Sequence, residues 1–218
     1  MSSTPLAAVE VVLPILVPFL FIAFLGFIIW AAVVQTRKGR ENLTTLADRL
    51  GLALQEPVRR GPFSSGSRQL TGAFRNRPVR VYTFTTGSGK SRSSWCALSM
   101  QVRTAPGFSF KITGENLFTK AGRIFGVEDV QTGDAAFDEK FYLKSKQPEY
   151  IRAALIPEIR TRLLDALRRH RQIGSFTIEN GEVKYTEMGN FANRSVCDRF
   201  PTMIEIATDL AEIAEAWR

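Results

Sequence analysis

Five residues in the middle of the chain carry the look of phosphate chemistry. Gly87-Ser88-Gly89-Lys90-Ser91 reads like the tail of a P-loop, where backbone N–H groups, a lysine and a hydroxyl cradle phosphate and its metal ion. A complete loop needs a further glycine five residues before Gly89, and that position is Phe84. It also needs a helix straight afterwards to present its N-terminus to the phosphate. The twelve residues from Ser91 on, SRSSWCALSMQV, have a strand pattern instead. The segment is therefore expected to be a polar hairpin tip with two cations, and nucleotide binding is disfavoured.

A second constellation is acidic. Glu128, Asp129, Asp134, Asp138 and Glu139 cluster closely enough to suggest a divalent cation, which takes several oxygen ligands. Their spacing fits no known ion-binding loop. Asp138 and Glu139 are neighbours on an expected strand, so they would point to opposite faces, and Gly133-Asp134 reads as a turn. This 128–139 segment carries the alternative reading of the chain, a membrane-tethered hydrolase or metal-dependent enzyme. Serine nucleophiles lack support: there is no G-x-S-x-G elbow, and one histidine, His170, serves the whole chain. His170 sits in ALRRHRQ at the end of an expected helix, where a cation beside terminal carbonyls needs no other role. Cys96 and Cys197 lie far apart without C-x-x-C spacing and are expected as free thiols in a reducing compartment. No catalytic residue, metal or cofactor is assigned.

The residues left with a candidate role are basic. Residues 37–124 hold 16 Lys/Arg against 4 Asp/Glu, while 125–218 hold 13 against 16. Arg37, Lys38, Arg40, Arg59 and Arg60 lead this basic half, and they are the expected contacts to anionic lipid headgroups or to a protein partner. A cation placed near an anionic leaflet contributes about 1 kcal/mol. Nucleic acid would attract the same charge, but a tethered domain meets the lipid surface first.

The tether is Val11–Val34, VVLPILVPFLFIAFLGFIIWAAVV, 24 residues free of charge. At about 1.5 Å per residue it reaches about 36 Å, beyond the roughly 30 Å hydrocarbon core. A cleaved signal peptide would have a basic lead and a shorter apolar run. Here MSSTPLAAVE contains no Lys or Arg, and the basic residues come after the apolar run. The expectation is an uncleaved anchor in a lipid bilayer, N-terminus outside and C-terminal domain cytoplasmic. Trp30 and Gln35 suit the inner interface, and Pro14 and Pro18 should bend the outer half.

The elements that must position these residues run in a plain order. Residues 1–10 form a short external N-terminus, 11–34 the transmembrane helix, 35–68 a juxtamembrane helix and linker, and 69–218 an α+β domain. Leu43, Leu46, Ala47 and Leu50 have helical spacing, with Gly51 closing the turn. Strands are expected at 69–74 and 79–86 about the turn RNRP, and at 94–102, where Trp95, Ala97 and Ser99 share a face. Further strands are expected at 108–113 and 137–146. The stretch 116–126, with Leu117, Phe118, Ile124 and Phe125, reads as core packing or a membrane-dipping loop. A helix from Pro148 is interrupted by Pro157, Asn180-Gly181 joins a hairpin, and 201–217 is an amphipathic helix. Irregular alternation of strands and helices predicts a mainly antiparallel sheet with helices on one side.

Residues 41–188 resemble a widespread group of uncharacterised bacterial membrane-tethered domains. The resemblance rests on Phe137, Asp138 and Phe141 with Ser145 soon after, the Pro157-interrupted helix and the Asn180-Gly181 hairpin. Leu46-Ala47-Asp48-Arg49-Leu50-Gly51, Gly72 and Arg80-Val81-Tyr82 also fit it. These are packing and turn residues, so no catalytic role carries over, and the resemblance implies a bacterial inner-membrane protein without giving its function; a protein partner or homo-oligomer is a separate expectation.

Overall fold

A computed structural model describes residues 6–56, 67–114 and 130–217, with the side chains of the first helix described from Phe19 onward. The expectations for Arg59 and Arg60, for 116–126 and for Glu128 and Asp129 lie outside the described residues.

Helix α1, Leu6–Leu50, runs unbroken through Pro14 and Pro18 for 45 residues. Its Phe19–Leu50 part is long and apolar enough to cross a membrane, and the apolar window is not buried in the rest of the chain. Its last two turns change character. Leu43, Leu46, Ala47 and Leu50 are buried, and Gly51 (φ 64°) closes the helix. The amide of Leu52 donates to the Ala47 carbonyl at 2.9 Å, the bond that ends a Schellman turn.

The sheet has eight strands: β1 (Ala53–Gln55), β2 (Gln69–Phe74), β3 (Arg77–Thr86), β4 (Ser93–Gln101), β5 (Phe110–Gly114), β6 (Phe141–Ser145), β7 (Ser175–Glu179) and β8 (Glu182–Met188). Their spatial order is β1-β2-β3-β4-β8-β7-β5-β6, with every neighbouring pair antiparallel. The fold is α+β, as expected. One row of side chains shows why the register holds. Leu70, Val81, Leu98, Tyr185, Phe176, Ile112 and Leu143 stand in line across seven strands, none more than 2% exposed. A slip of one residue in any strand would turn its apolar set out of the core.

The α-helices of the domain pack over that face, while a 3-10 turn at Gly89–Ser91 stands exposed at the tip between β3 and β4. Helix α2 is Ala135–Lys140, α3 Pro148–Ala154, α4 Pro157–His170 and α5 Arg194–Ala216. The long α5 lies over β4 and β8, and α1 and α4 pack on α5. Tyr150 of α3 donates from its hydroxyl to the Ile213 carbonyl at 2.6 Å. Pro157 separates α3 from α4, as its missing N–H requires. Two hairpins turn on paired left-handed residues, Arg75-Asn76 and Asn180-Gly181, the geometry of a two-residue I′ turn.

Two expectations need correction. The strand expected over Phe137–Lys146 begins only at Phe141, because its first part is α2. Phe137 and Phe141 suit a strand by parity but are also one helical turn apart, and Asp134 caps the helix by accepting from the Phe137 amide at 3.3 Å. Their rings stack at 4.8 Å. The last helix starts at Arg194, ahead of Pro201. Asn193 caps it at the Ser195 amide, 3.0 Å away, and Val196, Cys197 and Phe200 bury ahead of the proline. The short edge strand β1 had no signal in the sequence.

Candidate functional site

The face of the sheet away from the helices is where polar and cationic side chains gather. Arg80, Ser99, Lys184, Thr177 and Lys111 stand in register across five neighbouring strands. Beside them are Tyr82, Phe84 and Trp95. Small residues make the arrangement: Ala97 and Ser99 leave room for Lys184 to reach over β4. Its ammonium lies 5.0 Å from the Phe84 ring centre and 5.8 Å from that of Tyr82, and the Arg80 guanidinium lies 5.0 Å from Tyr82. These are cation–π distances. Phe84 also stacks on Trp95 at 6.3 Å, and the Trp95 indole donates to the Thr86 hydroxyl at 2.8 Å. Arg80 and Lys184 make no ion pair among the described residues, so one ring holds two cations open to an anion. Further along the row, burial lowers the pKa of Lys111, with Lys144 adding to it.

The basic residues that follow the apolar run sit where α1 leaves the domain. Arg37, Lys38 and Arg40 are exposed. Arg40 pairs with Glu56 at 3.1 Å, which Arg68 also meets at 2.8 Å. Just below, Asn42 donates to the carbonyls of Phe191 (2.8 Å) and Ala192 (3.2 Å), and Arg49 pairs with Asp198 at 3.2 Å. A cavity of about 230 Å³ opens there between α1 and α5, lined by Glu41, Thr45, Arg49, Arg194 and Asp198 among others. Its charges are mixed and its volume is small for a ligand pocket.

Sequence reasoning missed a charged group inside the core. Glu187, wholly buried, accepts from Arg199 of α5 at 2.9 and 3.3 Å and from the Tyr185 hydroxyl at 2.9 Å. Tyr185 in turn accepts from the Gly174 amide at 3.0 Å. Strand parity was the available signal: Val183, Tyr185 and Glu187 alternate onto one face, so a core carboxylate was implied. Burial raises the Glu187 pKa against the opposing pull of Arg199, and burial raises Tyr185 as well. With every partner in place and no described cavity reaching it, the cluster ties β8 to α5.

Both cysteines border this region and are buried. Burial, then Asp198 and Glu187, push Cys197 up to about 11, and burial pushes Cys96 higher. The thiolate is the reactive form, so at pH 8 a disulfide-exchange reagent should modify almost no thiol in the folded chain and two after unfolding. Rapid reaction of either in native buffer would contradict this placement. His170 is held below its usual pKa by burial and by Arg199 and Arg169. That fits poorly with a cation at the helix end, and no described group gives it a ligand's role.

In the acidic segment, Asp138 accepts from the Thr132 amide (3.0 Å), the Thr132 hydroxyl (2.8 Å) and the Gly133 amide (3.0 Å). Asp134 caps α2 and pairs with Arg160 at 3.3 Å, and Glu139 pairs with Lys140. No group of three metal-type ligands occurs among the described residues. Asp134→Ala should lower stability by about 1 kcal/mol, the typical loss of an N-cap, measured by denaturant unfolding. A loss of several kcal/mol would mean a larger role than capping.

No protein-family model matches the chain, and no curated protein matches it. Among solved structures, a similar fold occurs in the crystal structure of the mycobacterial trehalose monomycolate transport factor A, TtfA. The TM-score is 0.56 at 10% identity, over 83% of this chain and 96% of that one. At that identity the likeness is one of fold alone, shared with a protein named as a trehalose monomycolate transport factor.

Proposed function

We propose that this chain is a single-pass protein of the bacterial inner membrane whose cytoplasmic domain is a non-catalytic binding module serving lipid transport. In this reading α1 spans the bilayer with its N-terminus outside. Arg37, Lys38 and Arg40 meet anionic headgroups, and the open sheet face around Arg80, Tyr82 and Lys184 receives a protein partner. The supporting observation is the continuity of α1. One helix carries an exposed apolar length, then a basic turn, then four residues buried in the domain core. The name of the TtfA structure favours lipid transport as the process, and the resemblance over residues 41–188 favours a bacterial membrane-tethered group.

The acidic segment does not favour an enzyme, because Asp134, Asp138 and Glu139 are engaged in turn, cap and ion-pair contacts. The test is topology together with partner capture. A C-terminal reporter should be active in the cytoplasm and silent outside. Crosslinkers placed at Thr177, beside Lys184 on the same face, should trap in living cells a discrete partner that Arg80→Glu/Lys184→Glu releases. A reporter active only outside the membrane, or trapping unaffected by the reversal, would overturn the reading.

A further inference from the structure

We infer that the tip of the β3–β4 hairpin, Gly87–Arg92, is a second membrane contact, with Lys90 and Arg92 laid against anionic headgroups of the leaflet from which α1 emerges. This rests on the reading of α1 as the bilayer span.

The geometry comes from the path of α1 over the sheet. Just past the helix, Ala53 of β1 stands level with Thr71, Arg80, Ser99 and Lys184, in the middle of the strands. Going back along α1 towards the span, Asn42 is bonded to Phe191 and Ala192. Gly39 approaches Ala192 too: a Cβ there would lie 3.7 Å from the Ala192 nitrogen. Those residues come just after the end of β8, where Met188 is level with Trp95 and the Gly189 amide donates to the Ser94 carbonyl at 2.9 Å. Moving from residue 53 to residue 39 therefore climbs the sheet from mid-strand to the Phe84–Trp95–Met188 end. β3 and β4 continue beyond that end through the Thr86–Ser93 pair to the tip. The span and the tip leave the domain at the same pole. The apolar run ends at Val34, only five residues from Gly39, about 7.5 Å along the helix.

The chemistry of the tip suits that position. Residues 87–92 are all exposed. The turn is built and not slack: Gly87 has φ 79°, a Cβ on it would overlap the Ser91 carbonyl, and the Ser91 amide donates to Ser88 at 3.2 Å. Between Glu56 and Glu115 the sequence contains no Asp or Glu, so no carboxylate of β2 to β5 neutralises Lys90 and Arg92. At the base of the tip, Met188 is 37% exposed beside Trp95 and Phe84, the amphipathic and apolar types found at a membrane interface. A flat anionic surface is the occupant that two exposed cations on a short turn can meet without a pocket.

The test uses the full chain in lipid nanodiscs. A fluorescent label is placed at Ser91→Cys or at Asn180→Cys, the latter in the hairpin at the opposite end of β8, and the lipids carry a headgroup quencher. With phosphatidylglycerol present, the label at 91 should be quenched and the label at 180 should not. Quenching at 91 should disappear in phosphatidylcholine alone, in about 1 M salt, where the screening length falls to about 3 Å, and in Lys90→Glu/Arg92→Glu. Because those side chains are exposed, an unchanged melting curve shows that the variant folds, and Lys90→Gln/Arg92→Gln gives the same loss in milder form. Equal quenching at 91 and 180 in discs that hold the chain overturns the inference while the anchor stands. Quenching that ignores lipid charge and the reversal overturns it as well. A chain that fails to enter the discs overturns the anchor reading, and this inference falls with it.

Discussion

Replacing Arg199 with alanine should destabilise the domain by about 3–5 kcal/mol, the range for removing one partner of a buried ion pair. The side chains of Arg199 and Glu187 are 10% and 0% exposed, so the abandoned carboxylate would face the Tyr185 hydroxyl alone. pH dependence separates this cause from lost packing. Burial already raises the Glu187 pKa above its ordinary 4.5, and removing the cation raises it further. A carboxyl with a raised folded pKa binds its proton more tightly in the folded chain than in the unfolded one, so stability falls as pH rises above 4.5. The deficit of Arg199→Ala should therefore be greatest near neutral pH and shrink towards pH 4.5. Combining it with Glu187→Gln should recover part of the loss at neutral pH. A deficit that stays constant with pH would mean that Arg199 acts by filling space.

The second large effect is expected from the smallest change. At Gly174→Ala, the added Cβ would overlap the Thr186 carbonyl oxygen and lie 2.8 Å from its carbon and 3.0 Å from the Glu187 Cβ. The obstacle is the backbone of β8, which no rotamer change can move aside. The strand must shift, pulling at the Gly174 amide and its bond to Tyr185. Overpacking costs about 1–3 kcal/mol; against a backbone obstacle the upper figure is expected, and for a domain of this size about 3 kcal/mol lowers the melting temperature by about 6–12 °C. Alanine at Gly51 or Gly89 meets no atom within 4 Å; there the cost is confined to left-handed backbone strain. A melting temperature for Gly174→Ala within a degree or two of the parent would show that β7 and β8 approach less closely than described.

How much of this was readable in the sequence varies with the kind of signal. Local punctuation carried well: Asn180-Gly181 marked its hairpin, Pro157 its helix break, and Gly51 the end of α1. Apolar parity carried at 108–113, where Phe108, Phe110 and Ile112 line the core; in 79–86 both parities hold apolar residues, and Val79 and Val81 are buried while Tyr82 and Phe84 are half-buried. Ambiguity entered where two periods coincide, as at Phe137 and Phe141, and only the Asp134 cap decides for helix. The candidate site was harder to read for a different reason. Arg80 and Lys184 are 104 positions apart and become neighbours of one ring only through the order β3-β4-β8, which no local pattern encodes. The same holds for Glu187 and Arg199, whose pairing depends on where α5 crosses the sheet.

On the proposed reading of α1 as the bilayer span, its unbroken course gives the span and the domain a shared angular phase. With no joint between Val34 and Leu43, the direction in which the open sheet face looks, seen down the membrane normal, is set by counting residues. Each residue turns the helix by about 100°. One alanine inserted after Gln35 would swing that face through more than a quarter of a circle without touching a single contact in the domain. Four would return it to within about 40° of its starting bearing, raised by about 6 Å. A partner held in the same bilayer would lose its surface in the first case and regain much of it in the second.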